Sequence, residues 1–191
     1  MSSKKPMILV FAGPNGSGKS TITSHFDKIG EYTNADDVVV STGMSNIEAA
    51  QFVDKKRYEA IDNGKDFSFE TVLSSEYKMN LLKEAKNKGY FIKCFFILTI
   101  DPEINVARVE ARVASGGHDV ERDKIIKRYY KSLSNIKELI QICDILHVYD
   151  NTKDEPIRII RKHKDDLSIF PNKLWTEEKI LELLKWVFGI M

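Results

Sequence analysis

The sequence predicts an α/β fold in which a parallel β-sheet carries helices on both faces. Short apolar runs alternate with amphipathic segments along most of the chain. The first apolar run, Met7 to Ala12, leads through a glycine-rich turn into a helical pattern. The most hydrophobic run, Tyr90 to Ile100, is typical of a central strand that is buried on both faces. A length of 191 residues is typical of one domain, and we expect a single domain that spans residues 1–191.

The glycine-rich turn has the phosphate-loop pattern G-x-x-x-x-G-K-[ST] at each fixed position. Its residues are Gly13, Pro14, Asn15, Gly16, Ser17, Gly18, Lys19 and Ser20. Glycines let the backbone N–H groups point at a polyphosphate, and the dipole of the helix that begins with Thr21 and Ile22 favours the same anion. Lys19 is predicted to reach the β- and γ-phosphates, and the Ser20 hydroxyl to bind Mg²⁺. A chance Lys-Ser after an ordinary turn is the alternative, which the complete match disfavours.

A polar segment, Asn34-Ala35-Asp36-Asp37, is expected near the end of the second strand. Carboxylates at that sheet edge can take a proton from an attacking hydroxyl or help to hold Mg²⁺. Asn and Asp also cap helices routinely, so both interpretations stand at this point. In an extended segment successive side chains alternate, so Asp36 and Asp37 are expected to point in opposite directions.

The capping box Ser45-Asn46-Ile47-Glu48 predicts a helix from about residue 46 to Asn63-Gly64. Phe67 to Leu73 is predicted to be a strand that contains Glu70 and Thr71. A buried Glu needs a partner, whereas on an edge strand Glu70 would lie in water. A helix from Glu76 to Lys88 should follow.

Arginines surround a glycine break in the next part of the chain. Asp101-Pro102 begins a helix that carries Arg108 and Arg112 on one face. The segment Ser115-Gly116-Gly117-His118-Asp119 is typical of a lid hinge, and a helix from Arg122 to about Ile140 carries Arg128. A solvated basic face is the usual alternative for such arginines.

Three further elements complete the predicted fold. Ile145 to Tyr149 is a strand, followed by the turn Asp150-Asn151-Thr152, and Ile157 to Ile160 is a short last strand. Trp175 and the apolar residues of 180–187 predict an amphipathic helix, for which packing on the sheet is favoured over partner binding.

Composition gives few signs of special partners. The net charge of +1 offers no electrostatic argument for nucleic acid or a membrane surface. Cys94 and Cys143 lie in apolar surroundings and are expected to be buried, reduced thiols. No apolar run is long enough for a signal peptide or a membrane span, so a cytoplasmic location is expected.

With these blocks in order, the chain resembles the zeta-toxin-like phosphate-loop kinases, in particular their short single-domain branch. The resemblance extends over about residues 7–152. It rests on the phosphate loop, Asn34 to Asp37, Phe69-Glu70-Thr71, the segments 108–113 and 116–120, Arg128-Tyr129 and Asp150-Asn151. It implies a nucleoside-kinase-like core with a helical lid at about 103–140, and ATP and Mg²⁺ as cofactors. Zeta toxins phosphorylate a hydroxyl of UDP-N-acetylglucosamine, and an antitoxin is the implied protein partner.

The resemblance also implies roles for individual residues. Asp36 looks like the catalytic base, and Lys19, Arg108, Arg112 and Arg128 look like the groups that clamp the phosphates. Asn34, Glu70, Thr71 and His118 look like acceptor contacts, and Asn151 lies in the turn near the adenine. The toxins usually have Glu-Gly-Thr where this chain has Phe69-Glu70-Thr71, so a different acceptor pocket is expected.

Three functional hypotheses follow. The first is an ATP-dependent kinase of a small-molecule hydroxyl, with a nucleotide sugar as acceptor. The alternative is an ATP-binding switch that acts through a protein partner. Kinase action on nucleic-acid ends is disfavoured by the near-neutral charge, because backbone binding needs clustered cations. A base such as Asp36, directed at an acceptor, separates the first hypothesis from the second.

Overall fold

The computed structural model describes residues 4–153 and 155–188, with only the backbone described for 185–188. It contains a seven-stranded sheet in the order β2-β3-β1-β4-β5-β6-β7. The strands are β1 (Met7–Ala12), β2 (Glu31–Thr33), β3 (Phe67–Thr71), β4 (Phe91–Leu98), β5 (Ile145–Asp150), β6 (Ile157–His163) and β7 (Asp166–Ile169). The first five pair in parallel, and this confirms the predicted α/β fold with a mostly parallel sheet.

The described residues form eight helices, of which α8 follows the last strand. They are α1 (Lys19–Thr23), α2 (Ala35–Thr42), α3 (Asn46–Asp62), α4 (Glu76–Asn87), α5 (Pro102–Ala114), α6 (Arg122–Ser134), α7 (Ile136–Ile142) and α8 (Glu177–Phe188). Local caps fix two of the starts, as predicted. Ser45 and Glu48 form the reciprocal capping box of α3, and the Asp101 side chain accepts from the Glu103 N–H at the start of α5.

Some predicted boundaries and directions were wrong. The helix expected from Arg122 to Ile140 is broken at Asn135, whose side-chain amide donates to the Leu73 carbonyl at 2.8 Å. Strand β6 runs antiparallel to β5, and β7, which the sequence did not predict, pairs antiparallel with β6. Short connections force this reversal, because a parallel return needs a long crossover.

The main core lies on one side of the sheet, where α4, α7 and α8 cover it. Phe96, Leu82 and Leu139 are fully buried there. Ile180 and Leu184 of α8 join the same cluster, so the predicted packing role of this helix is confirmed for its described side chains. Val187 lies outside the described side chains.

A smaller aromatic cluster lies beneath α1 on the other side of the sheet, where Phe11, Phe26 and Phe95 pack together. Cys94 and Cys143 are buried free thiols, as expected. Within the described ranges, no helix combines the length and apolar character needed to cross a membrane.

Candidate active site

The loop between β1 and α1 has a backbone that only glycine can follow at two key positions. Gly13 and Gly16 have φ values of +143° and +75°. A Cβ atom at Gly13 would lie 1.9 Å from the Ile97 carbonyl oxygen, and one at Gly16 would lie 2.4 Å from the Asn105 carbonyl oxygen. The loop therefore packs directly on the end of β4 and on α5, as a phosphate loop requires.

Neighbouring elements hold this loop through its carbonyl oxygens. Asn105 of α5 is fully buried, accepts from the Thr99 hydroxyl and donates its Nδ2 to the Asn15 carbonyl at 2.5 Å. The Asn151 side chain, after β5, donates to the Ser17 carbonyl at 2.8 Å. In the described part of the chain, the N–H groups of Asn15, Gly16 and Gly18 have no protein acceptor. They form a set of free donors that suits a polyphosphate.

Lys19 lies beside these N–H groups, where its ammonium group suits the same anion. Lys19 is buried, and its Nζ donates to the Pro14 carbonyl at 2.9 Å. Burial lowers the pKa of Lys19, while the carboxylates of Glu70 and Asp36 act in the opposite direction. Exchange of one carbonyl contact for phosphate oxygens would give this buried ammonium a full counter-charge.

Glu70 is buried, and the edge-strand interpretation is wrong. Strand β3 lies between β2 and β1, and only 8% of Glu70 is exposed. Its Oε1 accepts from the Ser20 hydroxyl at 2.7 Å, and its Oε2 accepts from the Tyr32 hydroxyl at 3.3 Å. Burial and the Glu70 charge raise the pKa of Tyr32, so its hydroxyl stays a donor. The carboxylate and the Ser20 hydroxyl are hard oxygen ligands, a donor set that fits Mg²⁺.

Asp36 and Asp37 lie in a helix, so the expected extended conformation is wrong. Asn34 caps α2 by accepting from the Asp36 N–H at 3.2 Å, and both Asp residues fall in the first turn. Asp36 lines the cleft beside the phosphate loop, whereas Asp37 lines a separate small groove with Tyr32 and Phe52. Burial, Glu70 and Asp36 raise the pKa of Asp37. The two carboxylates thus face different surroundings, as expected, but the reason is the geometry of a helix and not the alternation of side chains in an extended segment.

The three arginines line the cleft together with His118. Arg108 donates to the Thr152 carbonyl at 3.2 Å, and its buried Nη1 has no partner among the described residues. Arg112 donates to the His118 carbonyl at 2.6 Å, across the glycine break. Arg128 donates to the Asn15 side chain at 3.4 Å. All three therefore line the cleft, and Arg128 contacts the phosphate loop, so they do not form a purely solvated surface, although Arg112 is exposed.

One cleft of about 1090 Å³ joins these groups. Most of the residues that the sequence predicted for the site line this cleft. They are Asn15, Gly16, Gly18, Lys19, Ser20, Thr21, Asn34, Asp36, Glu70, Thr71, Arg108, Arg112, His118, Arg128 and Asn151. Gly13, Pro14 and Ser17 lie in the loop but do not line the cleft. This volume slightly exceeds the usual range for ligand pockets, about 300–1,000 Å³.

Sequence reasoning missed a buried arginine that braces this cleft. Arg57 of α3 is 2% exposed and donates to the Thr33 hydroxyl, the Thr33 carbonyl and the Glu70 carbonyl, at 2.9, 3.2 and 3.4 Å. It also pairs with Asp54 at 3.0 Å. It therefore ties the ends of β2 and β3 together. The only signal in the sequence was an Asp–Arg pair at i, i+3 on the apolar side of α3.

The sequence profile of the zeta toxin family matches residues 31–165, from β2 into the β6–β7 hairpin. The chain belongs to the zeta toxin family. The match begins after the phosphate loop, so the geometry of that loop is separate evidence for a nucleotide-binding site.

Relatives and solved structures agree with this assignment. An uncharacterized protein of Haemophilus influenzae is 32% identical over 128 residues, which are 63% of this chain and 91% of that protein. The PezAT toxin-antitoxin system of Streptococcus pneumoniae has a similar fold, with a TM-score of 0.61, 16% identity and coverage of 98% of this chain and 88% of that one. AvrRxo1-ORF1:-ORF2 with ATP has a TM-score of 0.66 and 14% identity, over 99% of this chain. The chain described here spans 66% of the length of that AvrRxo1 chain. Family and fold together support a P-loop kinase.

Proposed function

We propose that this zeta toxin family protein transfers the γ-phosphoryl group of ATP to a hydroxyl group of a nucleotide sugar such as UDP-N-acetylglucosamine. The observation that carries the proposal is that Asp36 lines the same cleft as Lys19 and the loop with free N–H groups. A nucleotide switch needs the phosphate loop but has no need of a carboxylate directed at an acceptor.

In the proposed reaction the acceptor oxygen bonds to the γ-phosphorus while the bond to the β–γ bridging oxygen breaks. The hydroxyl proton goes to Asp36, and ADP leaves with the electron pair of the broken bond. The transition state is loose, so the residues act mainly by position and charge. Lys19, Arg108, Arg112 and Arg128 would neutralise the charge on the transferring group. Asn151 would lie near the adenine.

Ser20 and Glu70 are the residues that would hold Mg²⁺. The ion supplies charge neutralisation on the β- and γ-phosphates when it is bound. The 2.7 Å contact between the two side chains brings both oxygens to one point beside the phosphate loop. Glu70, which the resemblance suggested as an acceptor contact, is better suited to this position.

The α5–α6 segment, at about 103–140, is proposed to act as a lid on the nucleotide. The segment 115–121, which contains Gly116 and Gly117, joins its two helices, and both helices carry cleft-lining arginines. Closure would bring these arginines to the phosphates and exclude water. An antitoxin is the proposed protein partner, because the S. pneumoniae neighbour is part of a toxin-antitoxin system. The proposed location is the cytoplasm, because the reaction uses ATP.

The deciding experiment is incubation with ATP, Mg²⁺ and a panel of nucleotide sugars, followed by mass spectrometry. A gain of one phosphoryl group on one acceptor, absent with a folded Lys19→Ala variant, is the expected result. ATP hydrolysis without any phosphorylated acceptor would support the switch instead.

A further inference from the structure

The direction of the Gly16 N–H group is set by a side chain outside the phosphate loop. In a planar trans peptide, the C=O of one residue and the N–H of the next point in opposite directions. The Asn15 carbonyl accepts from Nδ2 of Asn105, in α5, at 2.5 Å. The Gly16 N–H belongs to the same peptide and has no acceptor among the described residues, so it is turned away from α5. Gly16 lines the cleft, and this N–H is therefore a donor for a polyphosphate there.

The same arrangement recurs at two other peptides of the loop. Asn151 donates to the Ser17 carbonyl at 2.8 Å and so directs the Gly18 N–H. Lys19 donates to the Pro14 carbonyl at 2.9 Å and so directs the next N–H along the chain. Each N–H group that we identified as free thus belongs to a peptide whose carbonyl oxygen is held by a side chain.

Asn105 differs from the other two side chains because it can act on the cleft only through the loop. Asn151 and Lys19 line the cleft and can contact a nucleotide themselves. Asn105 is 0% exposed and, in the part of the chain that the structure describes, does not line the cleft. Gly16 has a φ of +75°, and glycine adopts other conformations readily, so the loop sequence alone does not fix the direction of this peptide.

Thr99, directly after β4, fixes the orientation of the Asn105 amide. The Asn15 carbonyl can only accept, so Nδ2 of Asn105 must face it, and Oδ1 accepts from the Thr99 hydroxyl. Thr99 is fully buried, and its own carbonyl accepts from the Tyr129 hydroxyl at 2.6 Å. Burial and the charge of Asp101 raise the pKa of Tyr129, so this hydroxyl stays a donor at neutral pH. A chain of buried hydrogen bonds therefore connects α6 with the loop.

This chain of hydrogen bonds begins in the segment proposed as a lid. Tyr129 is a buried residue of α6 and lies next to Arg128, whose Nη1 donates to Oδ1 of Asn15 at 3.4 Å. Two neighbouring residues of α6 thus reach the same residue of the loop. Arg128 contacts the Asn15 side chain directly, and Tyr129 is connected to the Asn15 carbonyl through Thr99 and Asn105.

We propose that Asn105 is a positioning residue that directs the Gly16 N–H at the phosphates of the nucleotide. Thr99 and Tyr129 hold its amide in place from the lid helix α6. The inference rests on the proposed use of ATP and adds how the loop is kept ready before ATP binds, which avoids the cost of ordering it on binding. Loss of the Asn105 donor leaves the Asn15 carbonyl unpaired and lets this peptide turn over, so that a carbonyl oxygen would face the phosphates.

A binding test separates this role from a general effect on the fold. A non-hydrolysable ATP analogue with Mg²⁺ is titrated calorimetrically into the wild type and into Asn105→Leu, which has a similar size but no donor. The analogue should bind the variant about 10-fold or more weakly, because a hydrogen bond to a charged group is lost. Adenosine has no phosphate and, followed by NMR, should bind both proteins within about twofold. An equal loss for adenosine would indicate a general distortion and overturn the positioning role.

A milder variant tests the connection to the lid and does not require Asn105→Leu to fold. Tyr129→Phe removes only the hydroxyl group that holds Thr99 and should weaken binding of the analogue about threefold. Tyr90→Phe is the matched control, because Tyr90 is 2% exposed, donates to the Ala60 carbonyl at 2.8 Å and precedes β4, at the end opposite Thr99. Equal affinities of the two Phe variants would overturn the connection. Circular dichroism establishes that each variant is folded.

A crystal structure of the wild type with the analogue and Mg²⁺ tests the geometry without any variant. The Gly16 N–H should lie within hydrogen-bond distance of a phosphate oxygen, and the Asn15 carbonyl should still accept from Asn105. A turned peptide would overturn the inference. Equal affinity for the analogue in Asn105→Leu and the wild type would also overturn it and leave the kinase proposal intact. Weaker binding in Asn105→Leu, with no transfer to any acceptor by the wild type, would retain the inference and reject the kinase.

Discussion

The hydroxyl of Ser20 donates a hydrogen bond of 2.7 Å to the buried carboxylate of Glu70. These two residues lie 50 positions apart, at the start of α1 and near the end of β3. Parallel pairing of β1 with β3 brings them together, since Phe11 is level with Glu70 in the register. The contact joins the one predicted metal-binding hydroxyl to a carboxylate with a compatible ligand atom.

Glu70→Gln should weaken Mg²⁺ binding while leaving nucleotide binding largely intact. The amide keeps the size of the side chain and can still accept from Ser20, but the negative charge is lost. We expect the Mg²⁺ concentration for half-maximal activity to rise about 10-fold, with partial recovery at high Mg²⁺. Mn²⁺ binding followed by electron paramagnetic resonance gives a readout that is independent of activity. An unchanged Mn²⁺ affinity would show that Glu70 is not a metal ligand.

Asp36→Asn and Asp37→Asn should have very different effects. Asp36 lines the cleft and Asp37 does not, so only the first substitution removes the proposed base. Transfer to the acceptor should fall by about 10²-fold or more in Asp36→Asn, which should still bind ATP. Asp37→Asn should stay near the wild-type rate in the same single-turnover assay. The reverse pattern would move the base to Asp37, and no effect of either substitution would favour the switch.

Replacement of Arg108, Arg112 or Arg128 by Lys should reduce catalysis more than stability. Lysine keeps the charge but lacks the planar fork that grips two phosphate oxygens. We expect losses of about 10-fold or more in kcat for single variants, because arginine fingers can contribute about 10³-fold or more. Arg161→Lys, an exposed position of β6 outside the cleft, is the control. Full activity in all three variants would restore the solvated-face interpretation.

His147 should make the protein sensitive to acid. Burial lowers its pKa to about 4, and the neighbouring charges of Arg158, Lys93 and Arg161 act in the same direction. The unfolded chain takes up this proton near pH 6.5, so stability from neutral His147 is lost as the pH falls from about 6.5 to about 4. The Tm of the wild type should therefore fall more steeply over this range than that of His147→Gln, as measured by circular dichroism. Parallel Tm curves would contradict the assignment.

Local sequence signals were sufficient where one short segment determines the conformation. The bounds of β1 and the capping box of α3 were predicted correctly, because apolar runs and caps act within a few residues. The start of α5 followed from Asp101 and Pro102 for the same reason. Features that depend on long-range contacts were not predicted. The break at Asn135 is an example, because it involves a hydrogen bond to the Leu73 carbonyl, 62 residues away.

The sequence by itself determined the phosphate loop, the alternation of strands and helices, and the set of charged residues from which a site can be built. Each depends on residue type and spacing along the chain. Only the tertiary structure decided that Glu70 is buried against Ser20, that Asp36 and Asp37 separate on a helix, and that Arg57 and Lys78 share Asp54. These facts depend on strand order and helix packing, which bring distant residues together and set the burial and charge that surround each one.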